Sequence, residues 1–184
     1  MQRREIVLNT LCHKTLRIAG TVKDSIVDGP GIRYVVFTQG CPHHCPGCHN
    51  PQTHDFHGGN EVDCQQILEE IFSSRLLSGV TFSGGEPFCQ PEALAFMAEE
   101  IKARGIHLMI YTGYLLEQLQ KMENPAVTRL LELADIIVDG PFVETEKNLT
   151  LSFRGSENQR VIDMGKTRKK GEIVLYRSDY DDLW

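Results

Sequence analysis

The sequence predicts an α/β fold, built as a partial (open) βα barrel or a curved sheet. Three observations point there. Strand-like and helix-like runs alternate along most of the chain, the pattern of parallel strands joined by crossover helices. The strand-like runs end in short loops rich in Gly, Pro, Ser or Asp. The 184 residues fall short of the ~250 that a complete eightfold barrel needs. No internal repeat or low-complexity linker is visible, so one domain over 1–184 is expected, with a flexible tail from about 164.

The elements follow in order. Residues 15–19 and 33–39 read as strands, the second rich in β-branched and aromatic side chains. Between them lies the turn-forming Asp28-Gly29-Pro30-Gly31. Residues 54–60 look irregular. A helix is predicted over 63–75, with Asp63 as cap and Ile67, Leu68, Ile71 and Phe72 on one face. Residues 79–82 form a short buried-type strand ending in Ser83-Gly84-Gly85-Glu86-Pro87. A helix over 91–104 turns Leu94, Met97, Ala98 and Ile101 inward and stops at Gly105. Strand 106–111 leads to Thr112-Gly113. Helical pattern covers 115–122, breaks at Pro125 and resumes to 134, and strand 135–138 ends in Asp139-Gly140-Pro141. Beyond it, 142–163 is dense in hydrogen-bonding groups, 166–170 is basic and 178–184 is acidic with two aromatics. The terminal pieces read as a solvated tail or as a docking segment.

Composition narrows the function. With 41% hydrophobic and 24% charged residues the chain is ordinarily globular. A net charge of -6 gives no general reason to bind nucleic acid. No apolar run approaches the ~20 residues of a membrane span, and residues 1–14 lack the apolar region of a signal peptide. The expected compartment is the cytoplasm, with no membrane partner. There the six cysteines are not expected to form disulfides. Cys12, Cys64 and Cys89 stand alone and read as ordinary thiols.

The other three sit at C-x3-C-x2-C spacing in Cys41-Pro42-His43-His44-Cys45-Pro46-Gly47-Cys48-His49-Asn50. Two prolines and a glycine keep this stretch from becoming helix or strand. Three thiolates on one short loop suit a metal or an iron–sulfur cluster and leave one coordination position open. Zinc completed by His43, His44 or His49 is one reading. A common zinc framework pairs two separated Cys-x-x-Cys or Cys/His units, though, and no second pair exists here.

The cysteine spacing, with Gly47 before the third cysteine, resembles the signature of the radical S-adenosylmethionine enzymes. Ser83-Gly84-Gly85-Glu86-Pro87, one βα unit later, resembles their Gly-Gly-Glu motif. Asp28-Gly29-Pro30-Gly31-Ile32-Arg33, just upstream of the cysteines, resembles the glycyl-radical activating branch. Arg154-Gly155-Ser156-Glu157-Asn158-Gln159-Arg160 resembles the C-terminal Arg-Gly-Ser-x-Asn-Gln segment of those members that activate anaerobic ribonucleoside-triphosphate reductase. The resemblance covers about residues 18–163.

It implies a partial barrel of the radical S-adenosylmethionine type. It implies a 4Fe-4S cluster held by Cys41, Cys45 and Cys48, with S-adenosylmethionine as co-substrate. Gly47, Cys48, His49, Ser83, Gly84, Gly85, Glu86, Thr112 and Asp139 are the cofactor-binding positions it implies, with no side chain as general acid, base or nucleophile. His43, His44 and His49 would tune the cluster by hydrogen bonding or simply lie exposed. The implied reaction is reductive cleavage of S-adenosylmethionine to a 5′-deoxyadenosyl radical, which takes a hydrogen from a glycine of the reductase. The implied partners are that reductase and a flavodoxin-type electron donor. Two rivals remain: an activase of another glycyl-radical enzyme such as pyruvate formate-lyase, and a non-enzymatic zinc-binding module.

Overall fold

Seven strands in one mixed sheet organise residues 14–177, the part of the chain described by the computed structural model. In chain order the elements are β1 (Thr15–Ser25), β2 (Arg33–Thr38), β3 (Asn60–Asp63), α1 (Cys64–Ser73), β4 (Gly79–Gly84), α2 (Pro91–Ala103), β5 (His107–Tyr111), α3 (Leu116–Leu119), α4 (Pro125–Leu133), β6 (Ile136–Asp139), β7 (Arg160–Asp163) and α5 (Met164–Lys170). The strand order is β3-β1-β2-β4-β5-β6-β7.

The centre of the sheet is parallel, as the alternating pattern predicts: β2 pairs with β4, β4 with β5 and β5 with β6. The flanks are not. β1 pairs antiparallel with β2 and β3, and β7 pairs antiparallel with β6. A parallel crossover takes a dozen or more residues. The turn from Ser25 to Arg33 is too short for one, so β1 must fold back. Asn60-Glu61-Val62-Asp63 and Arg160-Val161-Ile162-Asp163 carry little apolar signal, and each becomes a strand by pairing with a neighbour already in place.

The helices form where their caps and apolar spacing put them. Asp63 accepts the amide of Gln65 at 2.8 Å and starts α1, which buries Ile67, Leu68 and Ile71. Pro91 opens α2, whose Leu94, Met97, Ala98 and Ile101 are fully buried. Asn124 caps α4. The predicted helix over 115–122 is a single turn, α3. These faces pack against Tyr34, Val36, Val80, Phe82, Leu108, Ile110 and Ile137 of the sheet, forming the main core. Each such side chain contributes about 1.5–3 kcal/mol.

The opposite face of the sheet carries the alternate residues. Met109, Ile136 and Val138 form a second cluster there, covered by Tyr111, Phe153, Val161 and Tyr176. The stretch from about 164, expected as a flexible tail, carries a helix and packing contacts over the described residues. Asp163 caps α5 through the amide of Lys166, Met164 is buried, α5 ends at Gly171 in the left-handed region, and Leu175 bridges to Ile162. A basic run with a good cap and one buried face becomes a helix. Cys12 and the acidic stretch 178–184 lie outside the described residues.

Arg33 opens β2 and is fully buried. Its Nε–H donates to Thr81 Oγ1 at 3.0 Å, its Nη2 to the Val80 carbonyl, and its Nη1 stands 3.0 Å from His107 Nδ1 and 3.4 Å from the Pro30 carbonyl. Thr81 passes the connection on, donating to the Asp28 carbonyl at 2.7 Å. Burial lowers the Arg33 pKa to about 10. The guanidinium thus pins the 28–31 turn against β4 and β5. Gly79 is the space it occupies, since a Cβ there would stand 2.1 Å from Nη1. Arg33→Lys cannot reproduce this fork. It should cost about 2–3 kcal/mol through acceptors left unmet, measured by urea unfolding of the metal-free chain. A loss below about 0.5 kcal/mol, the usual effect of a neutral surface change, would contradict this role.

Candidate functional site

The carboxyl ends of the parallel strands open on one cleft, and the cysteine loop leaves β2 directly into it. Its backbone is held from both sides. Gly40 N donates to the Thr53 carbonyl at 2.8 Å and Cys41 N to the His54 carbonyl at 3.1 Å, while the Gly40 carbonyl accepts the amide of Glu86 at 2.8 Å. Within the loop, Cys48 N donates to the Cys45 carbonyl at 3.2 Å. The chain turns through the left-handed region at Gly40 and Gly47.

Cys41, Cys45 and Cys48 all line the cleft. Cys41 is buried, the other two half-buried, and all three are free thiols. Burial holds the Cys41 thiol above its ordinary pKa. A metal centre would offset that cost by taking the thiolate form outright. The Asn50 amide lies 3.4 Å from Cys48 Sγ, the kind of contact that adjusts a thiolate ligand. His54 also lines the cleft, and its Nε2 is buried without a partner. Among the described residues no three His, Cys, Asp or Glu side chains are grouped as ligands of a single metal ion. Three thiols of one loop around a shared cleft, with an N–H···S contact and an unspent imidazole nitrogen, fit an iron–sulfur cluster.

Ser83, Gly84, Gly85 and Thr112 line the same cleft, as does the exposed His49. Gly84 and Gly85 are dictated by close approach. A Cβ on Gly84 would stand 2.6 Å from the Thr38 amide nitrogen, and one on Gly85 2.4 Å from the Gly40 carbonyl oxygen. Three positions expected to bind cofactor lie elsewhere. Gly47 is not in the lining, and its missing Cβ makes room for Glu144, whose carboxyl carbon would be 2.9 Å away. Glu86 and Asp139 are both fully buried outside the lining. Asp139 accepts the Leu116 amide at 2.8 Å, Arg160 Nε at 2.9 Å and Arg160 Nη2. Arg160 also pairs with Glu117, holding that carboxyl down at about 2. Glu86 accepts Phe88 N at 2.9 Å, Gly113 N at 2.9 Å and the Thr112 hydroxyl at 3.0 Å, with His43 Nε2 at 2.8 Å. Burial without a partner would be costly for either carboxylate, so each draws its donors from several loops.

The far wall comes from Phe142, in the strand-end run after β6, and from residues that sequence reasoning did not assign to the site: Arg154, Gln159 and the 148–153 loop. Gln159 accepts the Gly155 and Ser156 amides and donates to the Gly140 carbonyl, while Asn158 donates to the Pro141 carbonyl. The Arg154–Arg160 segment is thereby knotted onto the end of β6. Its Gly155 fits against His49 and Phe142, whose rings lie 4.9 Å apart. A dense run of Arg, Ser, Asn and Gln was the signal, but its partners are distant in sequence.

Residues 27–162 match the family described as a 4Fe-4S single cluster domain. The anaerobic ribonucleoside-triphosphate reductase-activating protein of Escherichia coli K12 is 35% identical over 145 residues, covering 74% of this chain and 91% of that protein. The pyruvate formate-lyase-activating enzyme of Clostridium pasteurianum is 38% identical over 130 residues, covering 67% of this chain and 55% of that enzyme. Among solved structures, QueE from Escherichia coli superposes with a TM-score of 0.48 at 16% identity, over 68% of this chain and 70% of that one.

Gly85→Ala tests the close contact between loops. The new Cβ meets backbone, which cannot swing aside, so the substitution should cost about 2 kcal/mol or more. Gly105→Ala, with nothing within 4 Å of its Cβ but a left-handed φ, should cost about 1 kcal/mol. Chemical denaturation of the metal-free chains gives both values. Equal losses would contradict the packing described.

Proposed function

We propose that this chain, which belongs to the 4Fe-4S single cluster domain family and to the radical S-adenosylmethionine activating proteins, activates anaerobic ribonucleoside-triphosphate reductase by placing a radical on one of its glycines. The observation that carries the reading is one cleft lined by Cys41, Cys45, Cys48 and the backbone of Gly84 and Gly85. Cys41, Cys45 and Cys48 would hold the 4Fe-4S cluster, and three thiolates for four irons would leave one iron for S-adenosylmethionine. When bound, the cluster supplies the electron that splits S-adenosylmethionine into methionine and a 5′-deoxyadenosyl radical, which becomes 5′-deoxyadenosine on taking the glycine Cα hydrogen.

The protein's own part is positioning and the exclusion of water. Gly84 and Gly85 let the co-substrate approach the main chain, and Ser83 offers a hydroxyl beside them. His49, Phe142 and Thr112 flank the same space. No side chain needs to move a proton. The sheet serves as a partial barrel whose mouth stays open for a loop of the reductase. Val27 and Leu149 line the cleft yet are 73% and 82% exposed, so apolar side chains stand ready on two loops at its entrance. A flavodoxin-type protein is the electron donor, and the setting is the cytoplasm.

Pyruvate formate-lyase is the less favoured target. The alignment spans 91% of the reductase-activating relative but 55% of the lyase-activating one, and the Arg154–Arg160 knot belongs to the former pattern.

The reduced, iron-reconstituted protein should cleave S-adenosylmethionine to 5′-deoxyadenosine. Serine at Cys41, Cys45 or Cys48 should abolish cleavage, and serine at Cys89 should not. Electron paramagnetic resonance should then find a glycyl radical on the reductase and none on pyruvate formate-lyase. A colourless protein holding one zinc per chain after reconstitution, with no cleavage, would overturn the assignment.

A further inference from the structure

We propose that Glu86 is a positioning residue: through His43 its carboxylate latches the cysteine loop to the ends of β4 and β5, and it does not grip the co-substrate's ammonium group. The inference rests on the cysteine loop being the cluster loop.

The first ground is capacity. An ionised carboxylate has about four lone-pair sites and no donor. Four protein donors already converge on Glu86: the Phe88 and Gly113 amides, the Thr112 hydroxyl and His43 Nε2. The side chain is fully buried and absent from the cleft lining. An ammonium group arriving from the cleft would have to displace one of these donors and strand it in the interior, which costs more than the new bond returns.

The second ground is what the donors belong to. Phe88 follows the Gly-Gly-Glu turn, Thr112 and Gly113 follow β5, and His43 lies between Cys41 and Cys45. One carboxylate therefore ties three loops. The main chain of the same residue repeats the link, since Glu86 N donates to the Gly40 carbonyl at 2.8 Å. The His43 ring is wedged in place. It packs edge-on against Tyr114 with ring centres 4.5 Å apart, and a Cβ on Gly113 would stand 2.4 Å from its Cδ2. A carboxylate can only accept, so Nε2 is the donor in this contact. Fixing His43 fixes the backbone between the first two thiols. The co-substrate's amino group is then left to main-chain carbonyls and Ser83.

The test compares Glu86→Gln, His43→Ala and the double variant Glu86→Ala/His43→Ala with the unaltered chain. Glutamine keeps the shape of Glu86, turns one of its two acceptor oxygens into a donor and removes its charge. In the metal-free full chain, alkylation of the buried Cys41 is followed by peptide mass spectrometry. In the iron-loaded chain, iron retained against a chelator and S-adenosylmethionine binding by equilibrium dialysis are measured.

Losing one charge-assisted bond should speed Cys41 alkylation in His43→Ala about tenfold, with a parallel loss of retained iron. Glu86→Gln sets its amide NH2 against at least one buried N–H, so Cys41 alkylation should speed up there too, while the chains that retain iron should bind S-adenosylmethionine within about twofold of the unaltered affinity. Alkylation in the double variant should be at least as fast as in His43→Ala. The latch is overturned if His43→Ala leaves Cys41 protected. It is also overturned if Glu86→Gln holds its iron but binds S-adenosylmethionine about tenfold more weakly, the signature of a lost charge pair. If the unaltered chain retains no iron, the proposed function fails, and the alkylation result still decides the latch.

Discussion

A loop with two prolines and no secondary structure must borrow its shape. Residues 41–50 make one internal backbone hydrogen bond between cysteines and are otherwise held from outside. The constraint on which the rest depends is the meeting of this loop with the ends of β4 and β5, through Gly40, Gly85 and the buried Glu86 carboxylate. Remove the close approach of Gly85 to Gly40 and the three thiols lose the surface that orients them. The parallel order β2-β4-β5-β6 serves this meeting, because it brings four strand ends to one side of the sheet.

Two further buried charges do comparable work. Arg33 sits at the amino end of β2 and binds the Asp28–Gly31 turn to β4 and β5. Asp139 sits at the carboxyl end of β6 and fastens Arg160, hence the Arg154–Arg160 knot that walls the cleft. Each is fully engaged with partners from distant elements, the condition under which a buried charge is tolerated. The sequence motifs are therefore largely motifs of assembly. Arg33, Glu86 and Asp139 hold loops together, while Gly84, Gly85 and the three thiols face the cleft.

That division explains which features were legible. The alternation of strands and helices, the cap at Asp63, the helix start at Pro91 and the inward faces of α1 and α2 follow from local chemistry, and the structure reproduces them. The antiparallel flanks, β3, β7 and α5 depend on pairing or packing with remote residues, and a polar four-residue run carries no mark of it. At the site, the cleft lining includes Cys41, Cys45, Cys48, His49, Ser83, Gly84, Gly85 and Thr112, all named from spacing and resemblance. Glu86 and Asp139 were expected there from the resemblance. Carboxylates of identical composition can point into a cleft or away from it, and only the donors around them decide. The far wall at Arg154 and Gln159 was hidden for the same reason: its neighbours lie in another part of the chain.

The most direct test of the central claim, three thiol ligands and one iron left free, is the Mössbauer spectrum of protein reconstituted with enriched iron, taken without and with S-adenosylmethionine. One iron of the four should stand apart from the others and change its isomer shift when S-adenosylmethionine is added, as its coordination expands. Four irons that ignore S-adenosylmethionine, or a site filled by a fourth protein ligand, would contradict it.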